Sequence, residues 1–166
     1  MKNLLLVISM VSFTTIVSAQ WNSDPTVNNP ICTFSNTTAK SSIVSVTDGN
    51  NGMWIAWEDS RDNATTGTDI YCQKINANGS ITFDNQGILV CNAAGSQSAL
   101  SITTDGSGGC IISWTDARTT ATTNNDVYAQ RINSSGSAVW TANGVVVSNG
   151  LVTELGSVIE RISATE

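Results

Sequence analysis

The chain has 166 residues, a formal net charge of −6 and only 12% charged residues, against a usual share of about a quarter. Seven basic residues against 13 acidic ones, with no histidine, leave out the footprint of a nucleic-acid binder and the commonest general base and metal ligand. An apolar content of 40%, only 2 prolines and polar positions filled by Asn, Thr, Ser and Gly fit an ordered all-β protein rather than a disordered chain.

In chain order, residues 1–19 read as a secretory signal peptide. Lys2 supplies the positive start, residues 4–17 the apolar stretch, and Val17-Ser18-Ala19 the small residues before cleavage at Gln20. The stretch is too short for a membrane anchor and polar sequence follows it. No cysteine follows the cleavage point, so a lipid anchor is not expected. The expected location is secreted, periplasmic or on the outer surface, with no membrane span after cleavage.

An internal repeat governs the rest. Trp57-Glu58-Asp59-Ser60-Arg61 recurs as Trp114-Thr115-Asp116-Ala117-Arg118, 57 residues on. Asp69-Ile70-Tyr71-Cys72-Gln73 recurs as Asp126-Val127-Tyr128-Ala129-Gln130, and Asp48-Gly49, Gly79, Phe83 and Gly87 recur as Asp105-Gly106, Gly136, Trp140 and Gly144 at the same offset. Residues 20–42 read as a partial unit and linker, because Trp21 and Pro30-Ile31-Cys32 look like a fourth strand without its first three. Residues 43–98 form one repeat, 99–150 the next, and 151–166 the start of a further unit or a frayed tail.

Each unit predicts four short strands: 44–47, 53–57, 70–75 and 88–90 in the first, and 100–103, 110–114, 127–132 and 145–147 in the second. Asp-Gly turns separate the first two strands, and Asn78-Gly79 and Ser135-Gly136 precede the fourth. Met53, Ile55 and Trp57 share one face, while Ile70 and Cys72 oppose Tyr71, Gln73 and Ile75. Both faces are apolar, as in a sheet covered on both sides. The fold class is therefore all-β: two four-stranded antiparallel propeller-type blades with partial terminal strands. Two blades cannot close a ring, and open flanks would expose apolar faces. A fragment of a larger propeller, self-association through the open blade faces, or a two-sheet sandwich would each resolve this.

At these residues the chain resembles a known group. Trp-x-Asp-x-Arg followed by Asp-Ile/Val-Tyr-x-Gln is similar to propeller repeats of large secreted Bacteroidetes-type bacterial proteins. It also resembles TolB-like and WD40-like blades. The resemblance covers residues 43–150 and implies architecture rather than an activity. The group's C-terminal sorting domain is not evident, and sialidase-type Asp boxes are absent.

The candidate site residues are the repeated polar set Asp59, Arg61, Asp69, Asp116, Arg118 and Asp126 and the repeated aromatics Trp57, Tyr71, Trp114 and Tyr128. Paired carboxylates are the equipment of acid–base or glycosidic chemistry. A catalytic site, however, needs one copy, whereas a blade scaffold needs its polar set in every blade. The carboxylates are thus expected to close loops and pair with the arginines, and the tryptophans to be core. Trp54, of opposite phase, is expected to face a neighbouring blade or solvent. Asp59, Asp62 and Asp69 offer oxygens to calcium, but Thr119 replaces Asp62 in the second copy. No metal or cofactor site is expected. The serine- and threonine-rich loops at 64–68 and 121–123 lack a base for a hydrolytic triad. Cys32, Cys72, Cys91 and Cys110 either form disulfides, with three possible connectivities, or fill the core as free thiols. These features point to a non-enzymatic secreted or surface binding module for a protein or glycan. A piece of a larger secreted enzyme or adhesin, and a degenerate gene remnant, are the alternatives.

Overall fold

The computed structural model describes residues 24, 26–33, 38–119, 124–154 and 156–162. The expected signal peptide at 1–19, Trp21 and the loop at 121–123 lie outside them. The described residues contain no helix and form eight strands: β1 Lys40–Thr47, β2 Met53–Asp59, β3 Asp69–Ile75, β4 Ile88–Cys91, β5 Gln97–Thr104, β6 Cys110–Asp116, β7 Asp126–Ile132 and β8 Val145–Ser148. They make two four-stranded antiparallel sheets, ordered β1-β2-β3-β4 and β5-β6-β7-β8, neither closed into a barrel. Within each sheet every strand therefore pairs with its neighbours in sequence, as short hairpin connections favour.

The two sheets share one register. Trp57 lies opposite Tyr71 and Asp59 opposite Asp69; Trp114 lies opposite Tyr128 and Asp116 opposite Asp126. Both first strands begin earlier than the alternation predicts, at Lys40 and Gln97 rather than 44 and 100. A bulge in each is the reason. The register shifts between Ser41 and Val44 and between Ser98 and Ser101, where Ser42 and Ala99 take φ values of 49° and 54°. An extra residue inverts the facing of what precedes it, so the in–out pattern is lost at that point.

The sheets pack face to face through unlike faces. Sheet one contributes Trp54, Ala56, Ile70, Cys72 and Val90; sheet two contributes Cys110, Ile112, Trp114 and Ile132. The residues of sheet one that correspond to this second set are Met53, Ile55, Trp57 and Ile75, on its other face. There Ile55, Trp57, Tyr71 and Ile75 form a second, smaller cluster against Ile31 and Cys32. The packing is thus head-to-tail: the second sheet sits on the first as a further unit sits on the one before it. Trp54, fully buried, faces the second sheet and donates its Nε1–H to the Gly108 carbonyl at 3.0 Å.

The outward face of sheet two differs in chemistry. Where sheet one buries Val44, Val46 and Ala56, sheet two has Ser101, Thr103 and Ser113. Residues 156–162 run across these hydroxyls. Gly156 N–H donates to Thr115 Oγ1 (3.1 Å), Ile159 N–H to Ser101 Oγ (3.2 Å) and Arg161 N–H to Thr103 Oγ1 (3.2 Å), and Ser157 and Ser113 share a hydrogen bond of 2.6 Å. Two bonds in this region repeat those at the start of β5. Glu154 N–H to Asn125 O matches Gln97 N–H to Thr68 O, and Gly156 on Thr115 matches Ala99 on Glu58. The flank expected to be apolar at this end is therefore mixed: hydroxyls under a chain segment lie on its β5 and β6 side, while Ile111, Val127 and Val147 hold the places of Trp54, Ile70 and Val90, with Val147 exposed.

Candidate functional site

The repeated Trp-x-Asp-x-Arg unit builds the same structure twice. In β2, Trp57 and Asp59 are two residues apart on one face, so the indole Nε1–H donates to Asp59 Oδ2 at 3.0 Å. Arg61, just past the strand, donates its backbone N–H to Asp59 Oδ1 (3.0 Å) and Nη2 to Oδ2 (2.6 Å). Its guanidinium lies 3.7 Å from the centre of the Tyr71 ring and also donates to the Gln86 carbonyl at 3.0 Å. In sheet two, Trp114 donates to Asp116 at 2.7 Å, and Arg118 reaches both Asp116 oxygens at 2.9 and 2.6 Å. Arg118 stands 3.8 Å over Tyr128 and donates to the Asn143 carbonyl at 2.8 Å. Each arginine thus ties the end of one strand, the ring of the next and the loop before the fourth. Burial works against the Asp59 charge, but the hydrogen bonds from Arg61 and Trp57 outweigh it and hold its pKa below the ordinary carboxylate range.

The second carboxylates sit differently. Asp69 and Asp126 are also buried and accept from the hydroxyls of Thr66 and Thr119. Among the described residues, Asp69 Oδ1 has no hydrogen-bond partner. Burial, helped by the charges of Asp62 and Asp59, raises the Asp69 pKa in spite of the Thr66 bond. The structure therefore brings Asp59 and Asp69 together across the strand pair, one ionised against arginine and one discouraged from ionising. Both side chains are closed off from solvent, and the open clefts on the molecule are lined by other residues. Among the described residues, no three Cys, Asp or Glu side chains converge as a metal would require.

Three further groups, which recur at the 57-residue offset but were not among the candidate site residues, also hold the units together. Gln73 and Gln130 are fully buried and pin the loop before the fourth strand. Gln73 accepts from the N–H groups of Phe83 and Lys74 and donates to Asp84 O; Gln130 accepts from Trp140 and Arg131 and donates to Thr141 O. Gly87 and Gly144, with φ of 77° and 85°, lie under the tryptophans, where a Cβ would come within 2.6 Å of the indole. Asp48 and Asp105 each accept two backbone N–H bonds within their turn and pair with Lys74 (3.1 Å) and Arg131 (2.9 Å).

All four cysteines are free thiols, with Cys72, Cys91 and Cys110 buried. Burial pushes the Cys91 pKa up to about 12 and raises that of Cys110 further, so neither is a reactive thiolate. Cys91 Sγ accepts from Arg118 at 3.4 Å, and Cys32 Sγ from Arg61 at 3.8 Å. Cys32 thereby holds toward sheet one the place that Cys91 holds toward sheet two.

Two of the clefts open to solvent involve the outward face of β2 or the Asp-Gly turns. One, about 190 Å³ and largely apolar, lies between the Ile31-Cys32 segment and Ile55 and Trp57. The other, about 380 Å³ and mostly polar, lies where the two Asp-Gly turns converge beside Arg161. No helix among the described residues is long and apolar enough to cross a membrane. No family model, curated protein or solved structure matches the chain.

Proposed function

We propose that the protein is a secreted or cell-surface, non-catalytic β-propeller repeat module whose loops bind a protein or glycan. The observation that carries this reading is the duplicated Trp–Asp–Arg–Tyr constellation, whose tryptophan and aspartate side chains are buried in both sheets. Equivalent polar contacts in both sheets are what a repeated scaffold requires, and their carboxylates are closed off from solvent. The head-to-tail stacking of the sheets supports blades over a symmetric sandwich, and so does the resemblance of the repeat unit to secreted Bacteroidetes-type and TolB-like propellers. Fold does not choose the ligand, which must be argued from surface chemistry.

The test is to screen the purified secreted chain against glycan and cell-surface protein arrays while assaying the same ligands for turnover. Saturable binding without turnover is expected. Turnover of a bound ligand that is lost in Asp69→Asn would overturn the non-catalytic reading.

One observation favours a second reading, in which these units belong to a larger secreted enzyme or adhesin. Residues 154 and 156–162 repeat contacts of a first strand, and Cys32 those at the end of a fourth. Both are the outer pieces of units whose middle strands would be supplied elsewhere. The mass of the native secreted product, measured against residues 20–166, separates the two readings.

A further inference from the structure

We infer that the cleft between the two Asp-Gly turns is a binding site for a carboxylate-bearing saccharide, with Arg161 as the carboxylate's partner. This deepens the glycan-binding reading above and rests on it. The repeat places two identical turns side by side, Asp48-Gly49 and Asp105-Gly106, at the mouth of a cleft of about 380 Å³. That volume lies within the range of small-ligand sites, about 300–1,000 Å³.

The lining is rich in neutral hydrogen-bonding groups, and its carboxylates are already engaged. Asp48 and Asp105, the carboxylates at this end, are consumed by their own turns and by Lys74 and Arg131. Thr47 and Thr104 each accept one bond, from Gly49 N–H and Gly106 N–H at 3.1 Å. Each hydroxyl therefore keeps its O–H to donate. The Asn50 amide and the exposed Ser107 hydroxyl complete a set suited to the hydroxyls of a sugar ring.

Arg161 supplies the charge. Its backbone N–H is held by Thr103, and its guanidinium lies against Gly106, where a Cβ would come within 2.6 Å of Cζ. Among the described residues no carboxylate reaches it at ion-pair distance. Gly49, across the cleft, has open space above it. The cleft thus has one uncompensated cation in a chain that is otherwise acidic, and a guanidinium recognises a carboxylate through paired N–H bonds. A saccharide carrying a carboxylate, as a uronic acid does, satisfies both halves of the lining.

The test is calorimetric titration of the purified chain with trigalacturonic acid, its fully methyl-esterified form and acetate. The acid should bind, with the ester at least about tenfold weaker and acetate undetectable. Arg161→Ala should weaken the acid at least about tenfold. Ser107→Asp, which places a negative charge in the cleft without touching the 156–162 segment, should do the same with an unchanged thermal melt. Equal binding of acid and ester, or indifference to Ser107→Asp, would overturn the inference and leave the glycan-binding reading standing. Acetate binding as tightly as the saccharide, or no binding of the acid, would also overturn it. Failure of every glycan and protein on the arrays is the separate result that sinks the broader reading.

Discussion

At the scale of single residues, the two carboxylates that face each other across β2 and β3 carry opposite electrostatic assignments. Asp59 is bound by Arg61 and Trp57 and is favoured as a charge. Asp69 is buried beside like charges and is disfavoured as one. Neutralising Asp59 leaves the Arg61 charge poorly compensated, a loss of about 3 kcal/mol for a buried pair. Asp59→Asn should therefore lower the melting temperature at pH 7, whereas Asp69→Asn should hold or raise it; chemical denaturation of the two variants checks the sign. The pH dependence follows. Asp48, Asp59 and Asp105 have lowered pKa values because turn, indole and cation bonds outweigh burial. The stability they add is complete above the ordinary carboxylate range and drains away as pH falls through about 4 and below. Asp69, with a raised pKa, works the other way and costs stability as pH rises. A melt series from neutral to acid should thus fall steeply on the acid side, and Asp69→Asn should gain most at the neutral end. Gly87 and Gly144 are constrained by backbone and by space together. Alanine at either should cost at least about 1 kcal/mol from the positive φ alone, with the indole displaced, visible as a shift in tryptophan fluorescence.

At the scale of elements, the strands divide into a protected centre and looser margins. β2, β3, β6 and β7 have seven residues each and pair on both sides, while β4 and β8 have four. The segment 156–162 is held to sheet two by hydroxyls rather than by a strand ladder. Each such bond is worth roughly 1 kcal/mol. Replacing Thr115 by Val should therefore raise amide exchange over 156–162 roughly fivefold and leave β6 and β7 unchanged, as read by hydrogen–deuterium exchange. Where the period-2 pattern is unbroken, the predicted strands lie inside the observed ones, which run one or two residues further. They fall short at Lys40–Thr47 and Gln97–Thr104, because a bulge shifts the facing of the polar residues before it.

At the scale of the whole molecule, head-to-tail packing leaves two unlike ends. The outward face of sheet one keeps an apolar cluster beneath Ile31 and Cys32, with Ile43 68% exposed beside it. The outward face of sheet two carries hydroxyls at the positions where the buried face of sheet one carries Val44, Val46 and Ala56. An unlike-face contact does not close on itself and can propagate, and the hydroxyls at these three positions work against that. Restoring the buried chemistry with Ser101→Val, Thr103→Val and Ser113→Ala together should produce concentration-dependent association by light scattering, beyond any shown by the unsubstituted chain.

The 57-residue repeat determined by itself the all-β class, the number and order of strands in each unit, and both faces of β2 and β3, because each follows from local alternation and turn chemistry. It also marked Asp59, Arg61, Asp69 and their copies as a repeated set. The tertiary structure decided what local pattern does not encode. It set which face of one sheet meets which face of the next, which carboxylate is paired with arginine and which is not, and where residues 156–162 lie. It also decided that two Asp-Gly turns, far apart in the chain, meet beside Arg161 to form a cleft. These depend on contacts between residues tens of positions apart. Such contacts are selected by shape and burial across the packed sheets, and no periodicity along one strand reports them.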